Sequence, residues 1–133
     1  ISNLEYIDIG PTKYFSYPIF PYFMIQKKIT FYCNYIESFF NKTKNIPDLI
    51  LIDGRFRVNT SLHILSFLSK KKIKYKTTII IDDYVSRKNY KVLEKIVNIR
   101  KIGRFGVIEY NHLKRFSKIK IEDLIHISKK DFI

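Results

Sequence analysis

The stretch PDLILIDGRFRVN occupies Pro47–Asn59. Its apolar run, Leu49–Ile52, stops on Asp53; Gly54 follows, then Arg55 and Arg57 around Phe56. A short apolar run with no alternation reads as a strand covered on both faces, as in a parallel sheet. Thr77–Ile81 (TTIII) is a second run of this kind, and it also ends on acids, Asp82 and Asp83. Between them, Val58–Lys70 reads as a helix, with Leu62, Leu65, Phe67 and Leu68 on its apolar side and lysines at the end that the helix dipole favours. Asn59 or Thr60 is the expected cap of that helix, and Asp83 or Ser86 that of the next.

The pattern continues in both directions. Downstream, Arg87–Val97 is amphipathic, with Tyr90, Leu93, Ile96 and Val97 inward, and Ile99–Ile102 and Phe105–Tyr110 read as a hairpin turning near Gly103-Arg104. Upstream, Leu4–Ile9 favours a strand stopped by Gly10-Pro11. Tyr14–Phe23 reads as an ordered aromatic loop, and Thr30–Lys42 has helical spacing. Alternating strands and helices closed by a β pair argue for an α/β sheet. The ligand crevice of such a sheet lies beyond the carboxyl ends of its strands, where Asp53, Asp82, Asp83, Asp8 and Gly10 all fall.

The gross composition narrows the field. A chain of 133 residues with 46% hydrophobic content is one domain with a packed core. The single cysteine, Cys33, allows no intramolecular disulfide and fits a reducing compartment, so a cytoplasmic location is expected. No stretch approaches the ~20 apolar residues of a membrane span, and the N-terminus has no signal-peptide order. The chain opens on Ile1 with no initiator methionine, which points to part of a longer protein.

The formal charge is +13. A basic chain suits an anionic partner, but heavy use of Lys, Ile, Asn, Tyr and Phe with no alanine also reflects coding bias. The lysines are spread along the chain; the arginines sit in tighter contexts and carry more information.

Neighbouring parallel strands would bring Asp53 and Asp82-Asp83 to within ~5 Å of one another. Three convergent carboxylates repel unless a hard cation such as Mg²⁺ or the nearby Arg55, Arg57 and Arg87 compensate them. Those arginines could instead hold an anionic substrate group, and Tyr90 could stack on a ligand. His63, His112 and His126 share no metal-ligand spacing, Cys33 reads as a small core residue, and Glu94 as a solvated ion pair.

PDLILIDGRFRVN, TTIIIDDYVSRKNYKVLEKI and IGRFGVIEY together resemble the C-terminal half of a bacterial family of class I methyltransferase-like proteins, over roughly Pro47 to Tyr110, and DIGPTKY (Asp8–Tyr14) is similar to an upstream motif of that family. More distantly, the acids at two strand ends resemble metal-dependent O-methyltransferases of the catechol and macrocin type. The resemblance implies a single, partial Rossmann-like domain over residues 1–133: a three-layer α/β sandwich with a mostly parallel sheet that ends in an antiparallel pair and lacks the first strands. It implies S-adenosylmethionine as cofactor and Mg²⁺ held by Asp53, Asp82 and Asp83, with Asp53 and Asp82 catalytic. Arg55, Arg57 and Arg87 have no counterpart in that chemistry and are assigned to substrate binding or to turn structure, and Tyr90 to the substrate, a small molecule or glycan.

The sequence departs from that pattern at its N-terminal side. A glycine-rich cofactor turn after a first strand, and an acid after a second, are absent in their usual form, so the chain alone is expected to bind S-adenosylmethionine weakly and to be incomplete or inactive. An open sheet edge left in this way favours a homodimer. The competing class is a non-catalytic basic α/β domain that uses Arg55, Arg57, Arg87 and Arg104 on a phosphorylated or nucleic-acid partner, with nucleic acid ranked below the small-molecule substrate.

Overall fold

In the computed structural model, residues 12–13, 17–18, 46–54, 56–71, 76–111 and 121–125 are described. The expected strand at Leu4–Ile9, the helix at Thr30–Lys42, Asp8, Gly10, Cys33, Arg55, His112 and His126 lie outside these residues. Within the segment read as an aromatic loop, Tyr17–Pro18 (β2) pairs antiparallel with Thr12–Lys13 (β1).

A four-stranded sheet organises the rest. Its strands are β3 (Leu49–Ile52), β4 (Lys76–Ile81), β5 (Arg100–Ile102) and β6 (Phe105–Asn111), in the order β3-β4-β6-β5. β3 and β4 are parallel, with Ile52 opposite Ile81; β4–β6 and β6–β5 are antiparallel. The described sheet is therefore mixed, with one parallel pair, and it ends in the expected hairpin. β3 and β4 are joined through helix α1 (Arg57–Lys70), so their carboxyl ends point the same way.

One face of the sheet carries the core. Ile79, Ile81 and Ile108 are fully or almost fully buried there with Leu62, Leu65 and Leu68 of α1 and Leu93, each worth roughly 1.5–3 kcal/mol of transfer free energy. α1 is buried around its whole circumference from Val58 to Leu68, including Asn59, Thr60, Ser61, His63 and Ser66. The Ser61 hydroxyl donates back to the Arg57 carbonyl at 2.6 Å.

The other face differs from the sequence expectation. β3 lies at the edge of the described sheet, with Leu49 and Leu51 58% and 61% exposed. An uninterrupted apolar run does not by itself distinguish a strand covered on both faces from one whose second face is open.

Two further differences concern helix starts. Neither Asn59 nor Thr60 caps α1; the cap position is Phe56, left-handed at φ 58°, and no side chain bonds the free amides. Lys88–Lys95 forms a 3₁₀ helix capped at Arg87 without a side-chain bond, while the Ser86 hydroxyl donates to the Asp83 carbonyl at 3.0 Å. A repeat of three suits this segment, because side chains three apart eclipse. Tyr90, Leu93 and Ile96 then form one apolar line, of which Tyr90 and Leu93 are buried.

Candidate functional site

Arg57, the first residue of α1, joins the tips of β3 and β4. Its Nε donates to the Gly54 carbonyl at 2.8 Å and its Nη2 to Asp53 Oδ1 at 3.0 Å, both on the β3 side. Its Nη1 crosses to the β4 side, donating to the Asp82 carbonyl at 2.8 Å and to Asp83 Oδ2 at 3.2 Å. The guanidinium is planar with donors in a fixed fork, so one side chain serves two loops at once. It is 12% exposed, and these bonds compensate its burial.

Asp82 is held from the opposite side by the hairpin turn. Arg104 Nη2 donates to Asp82 Oδ2 at 2.9 Å, and Arg104 Nε lies 2.7 Å from Oδ1 as an ion pair whose N–H is poorly aligned. The backbone repeats the link, since the Val85 amide donates to the Arg104 carbonyl at 3.3 Å. Arg87 approaches Asp83 Oδ2 at 3.8 Å and lies over the Tyr90 ring at 5.8 Å from its centroid. The structure thus brings together Asp53, Asp82, Asp83, Arg57, Arg87 and Arg104.

Two residues in the left-handed region flank this cluster: Phe56 (φ 58°) follows β3 and Asp83 (φ 53°) follows β4. Asp tolerates that region, whereas a bulky ring seldom occupies it and stores of order 1–3 kcal/mol there. The Arg57 bonds to Gly54, Asp82 and Asp83 help hold both turns, together with the Thr60 amide bond to the Phe56 carbonyl and the Ser86 hydroxyl bond to the Asp83 carbonyl.

The cluster's members differ in what a ligand could reach. The Asp53 side chain is 53% exposed, and only its Oδ1 is committed to Arg57. Asp82 is 4% exposed behind Arg104. Tyr90 is buried, with its ring 6.1 Å from that of Tyr84, so it faces the core rather than a crevice. All three carboxylates are turned onto guanidinium groups, and among the described residues no group of three His, Cys, Asp or Glu side chains has metal-binding geometry. As arranged they do not fit Mg²⁺, whose ligands must converge on one point at 2.0–2.1 Å.

Sequence reading missed a second polar chain, beginning at Tyr84. Its ring is 2% exposed and its hydroxyl donates to Glu94 Oε1 at 2.9 Å; Lys101 Nζ lies 3.0 Å from the same oxygen. Burial, then the bond to Glu94 and its charge, push the Tyr84 phenol well above its ordinary range. Hydrogen bonds from Lys101 and Tyr84 hold the Glu94 carboxyl below the usual carboxylate range. The ring fits only because Gly106 lies beneath it: a Cβ there would stand 2.5 Å from Tyr84 Cγ. Gly106 inside the strand-like run Phe105–Tyr110 was the available signal, since an interior strand glycine often marks a close approach. A shallow, open groove of about 410 Å³ lined by Glu94, Val97, Asn98, Ile99 and Lys101 adjoins this chain.

A scan against protein-family models matched none, and a search of curated proteins gave no match. Among solved structures, the chain is similar to a methyltransferase-like protein from Silicibacter pomeroyi, with a TM-score of 0.67 and 24% sequence identity. The fold is methyltransferase-like. The likeness covers 96% of this chain and 61% of the other, so the chain spans about three-fifths of the length of the structure that it matches. A methyltransferase-like sheet agrees with the mixed α/β topology and with charged residues gathered at the parallel strand ends. No helix among the described residues is long and apolar enough to cross a membrane.

Proposed function

We propose that the chain forms the substrate-side part of a methyltransferase-like site, transferring a methyl group from S-adenosylmethionine to a hydroxyl of a small molecule or glycan. The observation that supports this most is the exposed Asp53 carboxylate at the tip of β3, oriented through one oxygen by Arg57 and open at the other. In this reading Asp53 accepts the proton of the acceptor hydroxyl, a role that needs a fixed carboxylate within hydrogen-bond reach. Arg57 and Asp82 are positioning residues: Arg57 sets the Asp53 rotamer, and Asp82 anchors the turn that carries Arg104. Arg87 and Arg104 stand beside Asp83 and Asp82 at the β4 tip and suit an anionic group on the acceptor.

S-adenosylmethionine supplies the electrophilic methyl group when bound. No residue is assigned to it, because the described residues include no glycine-rich turn, and no step is routed through Mg²⁺, because guanidinium groups stand where its ligands would converge. The test is transfer of a labelled methyl group to a panel of hydroxylated small molecules and oligosaccharides by the protein purified from its own source. Transfer that is lost in Asp53→Asn with the fold retained is expected. Equal transfer by Asp53→Asn, or no transfer together with no binding of S-adenosylhomocysteine, would overturn the reading.

A further inference from the structure

The basic residues are not distributed evenly over the described surface. Seven of the eighteen residues from Arg87 to Arg104 are basic and one, Glu94, is acidic. Coding bias can raise lysine content, but it does not decide which lysines find partners.

The acids of β4, β6 and the segment between them are engaged: Asp82 with Arg104, Asp83 with Arg57, Glu94 with Lys101 and Glu109 with Arg100. That leaves Lys88, Lys91 and Lys95, all exposed on the 3₁₀ helix, outside these four ion pairs, although the Lys91 charge helps hold the Glu94 carboxyl low. Three-residue periodicity stacks Lys88 and Lys91 on one line about 6 Å apart, and Lys95 lies one line over, about 14 Å from Lys88 along the axis. The opposite line, Tyr90 and Leu93, is buried, so the helix cannot turn its lysines away from solvent.

We infer that this 3₁₀ face binds nucleic acid through its phosphate backbone. The occupant follows from charge and from what the face lacks. Ammonium groups in excess of acids at this spacing suit a polyanion with regularly repeated charges, and duplex DNA presents one per ~1.7 Å of axis. Tyr90, the single aromatic residue from Arg87 to Arg104, is buried, so there is no platform on which single-stranded bases could stack. Binding is therefore led by phosphates, independent of sequence, and as strong for duplex as for single strand. The face uses none of the side chains at the β3 and β4 tips, so it stands whether or not methyl transfer occurs there.

The test is fluorescence anisotropy of the whole chain with a labelled 20-base-pair duplex across a salt series. Micromolar binding at low salt is expected, with a log–log salt slope that becomes shallower by about 0.9 for each lysine removed, ~2–3 in the triple variant Lys88→Gln/Lys91→Gln/Lys95→Gln. Affinity in that variant falls by about tenfold or more at low salt. The Tm of the variant should match the parent, since the three side chains are exposed. A control, Lys118→Gln/Lys129→Gln/Lys130→Gln, removes the same charge elsewhere in the chain. Equal losses in both variants would mean that net charge and not this face binds; no duplex binding, or tighter binding to vesicles of equal parts phosphatidylcholine and phosphatidylserine, would also overturn the inference.

Discussion

Replacing Gly106 with alanine tests the packing under the Tyr84 ring. Gly106 is not in the left-handed region, so its backbone accepts alanine, and loss of a strand glycine should by itself stabilise by roughly 0.5–1 kcal/mol. The added Cβ, however, would stand 2.5 Å from Tyr84 Cγ, 2.8 Å from Cδ2 and 3.0 Å from Cβ. β6 cannot retreat: Gly106 is opposite Ile81 on one side and Lys101 on the other. The ring must move, at an overpacking cost of about 1–3 kcal/mol, and its bond to Glu94 is lost for about 1 kcal/mol more. The balance is a destabilisation of about 2 kcal/mol. At about 4 °C per kcal/mol for a domain of this size, Tm falls by about 8 °C. Urea unfolding of the parent, Gly106→Ala, Tyr84→Ala and the double variant gives the cycle, and the Gly106→Ala penalty should disappear once the ring is gone. A Gly106→Ala protein as stable as the parent, or a penalty unchanged in the Tyr84→Ala background, would refute the reasoning.

Arg57→Met should cost about 2–3 kcal/mol in urea unfolding, less than a fully buried pair because Asp53 and Asp83 are partly solvated, and Arg57→Lys should recover little of it, since an ammonium cannot span both tips. Tyr84→Phe bears on the alkaline limb of stability. The phenol's value in the fold lies above its unfolded value near 10, so its contribution is complete below about pH 10 and declines as pH rises past it; thermal melts of Tyr84→Phe should lose that decline. Glu94 has the opposite sign, its contribution being present above the ordinary carboxylate range and lost on acidification, so Glu94→Gln should flatten the acid limb. Millimolar Mg²⁺ should shift Tm no more than sodium chloride of equal ionic strength; a specific shift would place a cation where Arg57 now bonds the carboxylates.

Much of the sheet was legible because its signals are local. β3 lies where the run Leu49–Ile52 placed it, β4 and α1 each begin one residue before their expected starts, and the hairpin turns at Gly103-Arg104. The adjacency of Asp53 to Asp82-Asp83 followed from reading two parallel strands joined by a helix. What was not legible depends on side-chain direction and on distant partners. Nothing in the sequence singles out Arg57, because its reach to residues 25 and 26 places on depends on its place at the start of α1. The Arg104–Asp82 pair needs the hairpin folded back on β4 before it exists. Tyr90 met the criteria for a ligand platform and a core residue equally, and its burial decides the point. The 3₁₀ period escaped notice because Tyr90, Leu93 and Ile96 satisfy the i, i+3 spacing of either helix type.

The open leucine face of β3 affects how the chain behaves before it is fully folded. β5 and β6 meet through a two-residue turn, whereas β3 can pair with β4 only after α1 has closed a much longer loop. β3 is on that account the late arrival, and during the interval its four apolar residues are exposed on every side. Its brevity limits the harm: a strand of four residues is a poor template for misassembly, and Asp48 and Asp53 bracket it with like charges that discourage another copy from stacking in register. Yield from refolding should therefore fall with protein concentration sooner than equilibrium stability alone would suggest.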